Sequence, residues 1–125
     1  MARDQIISAI KALPQEIQSA SGAALYTGWS ALRPCPIYIM GLNPGGSPDE
    51  EPRSLIEDVQ AVPDVWSSYS DNRWGGRKEP GTAPHKVRVM RIAAAAGLDI
   101  RETPAANAIF VRSRDAHSLK PMIWN

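Results

Sequence analysis

Hydrophobic positions at the start of the chain recur with helical spacing. Ile6, Ile7, Ile10 and Leu13 fall three or four apart, and Asp4 stands where the helix dipole favours an acid. Pro14 stops this helix and residues 15–20 add a further turn. Residues 21–31 mix small, polar and aromatic side chains and show neither the helical nor the strand period. At residues 37–40, Ile-Tyr-Ile-Met follows Pro34-Cys35-Pro36, and a run apolar on both faces predicts a buried strand of a parallel sheet. It ends abruptly in Gly41-Leu42-Asn43-Pro44-Gly45-Gly46-Ser47-Pro48. Residues 54–60 predict a short helix, with Ser54 as cap and Glu57 at the capping-box spacing.

Residues 62–81 read as a long loop, broken by Pro63, Gly75, Gly76, Pro80 and Gly81 and carrying Trp66, Tyr69 and Trp74. Unstructured loops of this length are uncommon in compact domains unless they bind something. Pro84, Val87, Met90, Ile92 and several alanines predict a helix that Gly97 ends. Residues 105–111, Ala-Ala-Asn-Ala-Ile-Phe-Val, predict a second strand. Strand, helix, strand in that order implies a right-handed parallel crossover and an α/β fold, three-layered, with a short parallel sheet flanked by helices.

Composition narrows the class. At 125 residues, with 43% hydrophobic and 22% charged positions, the chain fits one globular domain over residues 1–125 and excludes a disordered or fibrous protein. It has no apolar run long enough for a membrane helix and no signal-peptide pattern, and one cysteine, Cys35, cannot pair internally. A cytoplasmic protein with no membrane contact is the expectation. The net charge of +1 conceals an asymmetry: residues 1–72 carry four basic side chains against nine acidic, residues 73–125 ten against four. A basic half suits a polyanion-binding face, although folding can also intermingle such charges.

The turn at residues 41–47 holds the densest candidate chemistry. Ligands of open α/β sheets bind beyond the carboxyl ends of the strands, where this turn lies. Glycines there let a ligand approach the main chain, successive amides can form an anion-binding concavity, and Asn43 adds a carboxamide. It is neither of two familiar phosphate loops, having neither the dinucleotide glycine spacing nor a Walker lysine. Asn-Pro-Gly-Gly is also a strong turn sequence with no chemistry required.

A strand followed by Gly41-Leu42-Asn43-Pro44-Gly45 resembles the first motif of the uracil-DNA glycosylase superfamily, in its Gly-x-Asn-Pro-Gly branches of mismatch-specific and single-strand-selective type. Asn107-Ala108-Ile109-Phe110-Val111-Arg112 is similar to that family's second strand, and the resemblance spans about residues 35–115. It implies a uracil-DNA-glycosylase-like fold and a monofunctional hydrolase of base-excision repair, with DNA holding uracil or another damaged base as partner. Asn43 would be the catalytic residue, positioning water for attack at the sugar C1′. Gly41, Leu42, Pro44 and Gly45 would line the base pocket, and Asn107 would read the base. The cleaved bond passes through an oxocarbenium-like sugar, so an amide that orients water suffices, with modest turnover.

A carboxamide matches uracil in one orientation and cytosine in the other, so neighbours must fix its flip; a mispaired buried amide costs about 1–3 kcal/mol. A flipped-out base needs an aromatic face, and Tyr69 is preferred to Trp66 or Trp74. Arg73, Arg77, Lys78, Lys86, Arg88 and Arg91 would meet DNA phosphates, with Arg112 and Arg114 near the site, although Arg88 and Arg91 can equally serve only to solvate their helix face. No cofactor is implied: one cysteine cannot hold the four-cysteine iron–sulfur cluster of some relatives. The family's third motif, a histidine-containing loop, has no counterpart, since His117 lies too close behind the second strand and His85 opens a helix. The domain is therefore expected to be truncated at its C-terminus. Two other readings stay open: a non-catalytic nucleotide- or nucleic-acid-binding module, and an unrelated α/β domain in which the turn is only a turn.

Overall fold

The structure, a computed structural model, describes residues 2–46, 48, 51–73 and 79–113. It is α/β, with helices around a two-stranded parallel sheet. Helix α1 (Ala2–Lys11) and the single turn α2 (Gln15–Ser19) flank Pro14, which serves as the N-cap of α2. Strand β1 (Ile39–Gly41) is followed by α3 (Leu55–Gln60), α4 (Ser68–Asp71) and α5 (Pro84–Ala95), then β2 (Ala105–Asn107). The local signals for α3 and α5 act as expected. Ser54 Oγ accepts from the Glu57 amide while the Glu57 carboxylate accepts from the Ser54 amide. Pro84 occupies the first turn of α5, and Gly97 takes φ +73° just beyond its end. Helix α4 lies inside the stretch expected to be loop; Ser67 caps it, its hydroxyl accepting from the Tyr69 amide.

The strands pair Ile39 with Ala105, Met40 with Ala106 and Gly41 with Asn107. The free edge of β2 is taken by residues 21–27, which run antiparallel to it. Tyr26 N–H donates to Ala105 O, Asn107 N–H to Ala24 O, and Ala23 N–H to Phe110 O, each at 2.9 Å. Every residue from 22 to 28 is buried. Gly22 permits the approach, because a β-carbon there would stand 2.2 Å from Phe110 O.

Ala105 and Ala106 point to opposite faces of β2 and pack in separate clusters. Ala106 joins Ile10, Leu25, Leu55 and Val59 beneath α1 and α3, while Ala105 joins Ala23, Tyr26 and Tyr69 beside Val89 and Met90 of α5. Helices therefore cover both faces of β2. The expectation of a buried first strand is corrected: Tyr38, Met40 and Leu42 are 53%, 61% and 55% exposed. These residues share one face by the strand period. The physical reason is that the core forms around β2, which is paired along both edges, whereas β1, among the described residues, is bonded along one. Among the described residues no helix is long and apolar enough to cross a membrane.

Candidate functional site

Gly41 pairs with Asn107, so the two carboxamides leave adjoining strands at the same end of the sheet, Asn43 two residues beyond the pair. Asn43 Nδ2 donates to Val111 O at 3.2 Å and to Ser113 Oγ at 3.1 Å. Both amide hydrogens are engaged, which fixes the flip and leaves Oδ1 as the accepting end. Pro44 is buried beside it, and Leu42 projects outward.

Asn107 is 2% exposed, and its Nδ2 donates to Ala23 O at 3.1 Å. Among the described residues its Oδ1 has no hydrogen-bond partner. That oxygen lies against Gly41, where an added β-carbon would come within 2.9 Å of it. The flip of this amide, open from sequence, is thus set by a main-chain carbonyl from the third strand-like segment.

Beside the turn opens a cavity of about 550 Å³. Gly45, Tyr26, Trp66 and Asn72 line it together with Arg53, Arg73, Arg112, Glu51, Asp58 and Asp71. Neither Asn43 nor Asn107 is among the lining residues. Tyr26 connects the cavity to Asn107, because its hydroxyl faces both the Gly45 main chain and the Asn107 side chain. Burial raises the pKa of that phenol, outweighing the Gly45 amide and the Asn107 side chain, which favour the phenolate. Burial likewise raises the Asp58 carboxyl, although Arg53, 3.6 Å away, and Arg112 pull it down. Asp71 goes the other way, since Arg101 donates to both of its oxygens, at 3.1 and 2.6 Å, and favours the carboxylate.

Arg112 clamps the turn. Its Nε donates to Gly45 O at 2.6 Å and its Nη1 to Ser21 Oγ at 2.8 Å, so two of its donors hold protein atoms. Arg73 is exposed at the cavity rim. Arg77, Lys78 and Arg114, with Trp74 and His117, lie outside the described residues.

Of the two described loop aromatics, Trp66 lines the cavity, half-buried, with its Nε1 donating to Asn72 Oδ1 at 3.1 Å. Tyr69 is 1% exposed and stacks edge-on to Tyr26, with centroids 5.5 Å apart and an interplanar angle of 84°. The expected stacking face is therefore core, and the reason is the 3.6-residue turn of α4, which rotates Tyr69 inward beneath α5.

Sequence reasoning passed over Tyr26, Arg53 and Asp58. The signal for Tyr26 was a glycine-bracketed apolar run, Gly22-Ala23-Ala24-Leu25-Tyr26-Thr27-Gly28, short enough for a buried strand. Among the described residues no three His, Cys, Asp or Glu side chains group to hold a metal ion. Comparison with protein-family models, with curated proteins and with solved structures finds no match.

Proposed function

We propose that this chain is a uracil-DNA-glycosylase-like domain that hydrolyses the N-glycosidic bond of uracil or a related deaminated base in DNA. The observation that carries the reading is the register of the two strands, which sets Asn43 and Asn107 at one end of the sheet with each amide flip fixed by a protein acceptor. Asn43 holds both amide hydrogens on Val111 and Ser113 and offers Oδ1 to orient a water toward the sugar C1′. The cation-like sugar demands little nucleophilic strength, so orientation supplies most of what the step requires. Trp66, at the cavity, takes the stacking role rather than Tyr69, and Arg73 and the remaining donors of Arg112 meet phosphate.

One observation favours a second reading. The cavity is lined by Gly45 and not by Asn43, which suits a module that holds a base or nucleotide without cutting it. Release of free base from a labelled single-stranded oligonucleotide containing one uracil decides between them. Asn43→Ala is expected to lower that rate by about 10²-fold or more. A wild-type chain that binds the oligonucleotide without releasing uracil establishes the binder. One that does neither removes both readings.

A further inference from the structure

Arg53 and Asp58 flank the cap of α3. With Ser54 at the N-cap, they stand just before the cap and four residues after it, positions that the first helical turn brings together. The capping box fixes that turn, and the fully buried Leu55 and Val59 fix the helix beneath it. Arg53 Nη1 lies 3.6 Å from Asp58 Oδ1, and both residues line the cavity. That separation is an ion pair and longer than a good hydrogen bond, so the carboxylate keeps acceptor sites for a ligand. Burial raises the Asp58 pKa, while Arg53 and Arg112 pull it down and favour the charged form. A second feature of the cavity is independent of the pair. Trp66 lines it too, held by its Nε1 bond to Asn72 and by packing against the core, and a fixed indole ring is a platform for a base.

Together the pair offers one donor and then two acceptors: an Arg53 N–H, Asp58 Oδ1 and Asp58 Oδ2. The planar edge that complements this row carries one acceptor and then two donors. Guanine has that edge in O6, N1–H and the 2-amino group. Hypoxanthine lacks the last contact, adenine turns a ring lone pair on the carboxylate, and uracil flanks its ring N–H with carbonyl oxygens on both sides. We infer that the cavity binds a guanine base, with Arg53 donating to O6 and Asp58 accepting from N1–H and the 2-amino group. The inference rests on the second reading above, a module that holds a base without cutting it, and gives that reading its ligand. Guanine in a free nucleotide and guanine in a single strand present the same edge.

Two binding series on the full chain separate these sources. Titration calorimetry compares guanosine, inosine, adenosine, xanthosine and uridine monophosphates, and fluorescence anisotropy compares short oligothymidylates holding one guanine, hypoxanthine or adenine. The wild type should bind the guanine member about tenfold or more tightly than the adenine member, with hypoxanthine between them. A preference confined to the first series assigns the site to a free nucleotide, and one confined to the second assigns it to a single strand. Asp58→Asn replaces two acceptors by one acceptor and one donor. It should lose the preference for guanosine monophosphate and turn it about tenfold toward xanthosine monophosphate, which carries a carbonyl oxygen at C2. An Asp58→Asn chain that binds every nucleotide equally less well has lost only its pairing with Arg53, and that overturns the inference. Equal wild-type affinity for guanine and adenine in both series overturns it even where the variant fails to fold, as does uridine monophosphate bound best. Binding without base preference ends the inference and leaves the binding reading standing, whereas a wild type that binds nothing in either series ends both.

Discussion

At the residue scale, the least expected side chain is Lys86. It is fully buried on α5, and its Nζ donates to Ser68 O and Asn72 O at 2.5 Å each, fastening both ends of α4. Burial brings its pKa down to about 8, and the nearby Asp71 offsets this only in part. The folded state therefore holds the proton less tightly than the unfolded chain, so this group costs stability below pH 8 and the cost lifts as pH rises. Tyr69 has the opposite sign: buried, it is pushed up to about 12, so the unfolded chain loses its phenolic proton first and stability falls above pH 10. Urea midpoints are expected to climb from about pH 8 to about pH 10 and then decline. Lys86→Met should flatten the rise and spare the decline, and a rise that survives the substitution would show the assignment to be mistaken. A lysine within an amphipathic helix reads as surface from sequence; only the carbonyls at the ends of α4 explain its place inside.

At the element scale, the 21–27 segment bears more of the fold than its sequence suggests. It satisfies the outer edge of β2, supplies Ala23 O to Asn107 and Ser21 Oγ to Arg112, and brings Tyr26 to the cavity. Gly22→Ala would drive a methyl group into the Phe110 carbonyl and is expected to cost about 1–3 kcal/mol in a urea melt. The same variant should also loosen the Arg112 clamp on the turn. A change below about 0.5 kcal/mol would mean that the segment is not held against β2 as described. The helices were legible because their signals are local: a capping box, a proline in the first turn and a glycine just past the last one. The 21–27 strand was not, because its partners lie some eighty residues away and the segment has no period of its own.

At the scale of the whole molecule, basic side chains of the second half share a cavity with charged side chains of the first. Arg73 and Arg112 meet Arg53, from the acidic half, around one cavity that also holds Glu51, Asp58 and Asp71. If three guanidiniums contact a single-stranded oligonucleotide, the logarithm of the binding constant should fall with the logarithm of salt at a slope of about −2. Arg73→Gln, at the exposed rim, should reduce that slope by about 0.7, read by fluorescence anisotropy across a salt series. A slope unchanged in the variant would remove Arg73 from the interface. The apolar face of Tyr38, Met40 and Leu42 is the other large-scale feature, and it goes with β1 being paired, among the described residues, along one edge.

What the sequence determined by itself is local in range: where α1, α3 and α5 start and stop, and that a turn of small residues with an asparagine follows the first strand; that the second strand ends at Asn107 rather than at residue 111 was decided by the fold. The local features depend on interactions within a few residues, which the order of side chains specifies directly. Which asparagine faces what, which aromatic meets the cavity and which strand is buried were decided by tertiary structure. The Asn107 amide is oriented by a carbonyl 84 positions away and the turn is clamped through a contact spanning 91. Partners at such separations are chosen by packing, and packing is a property of the folded whole.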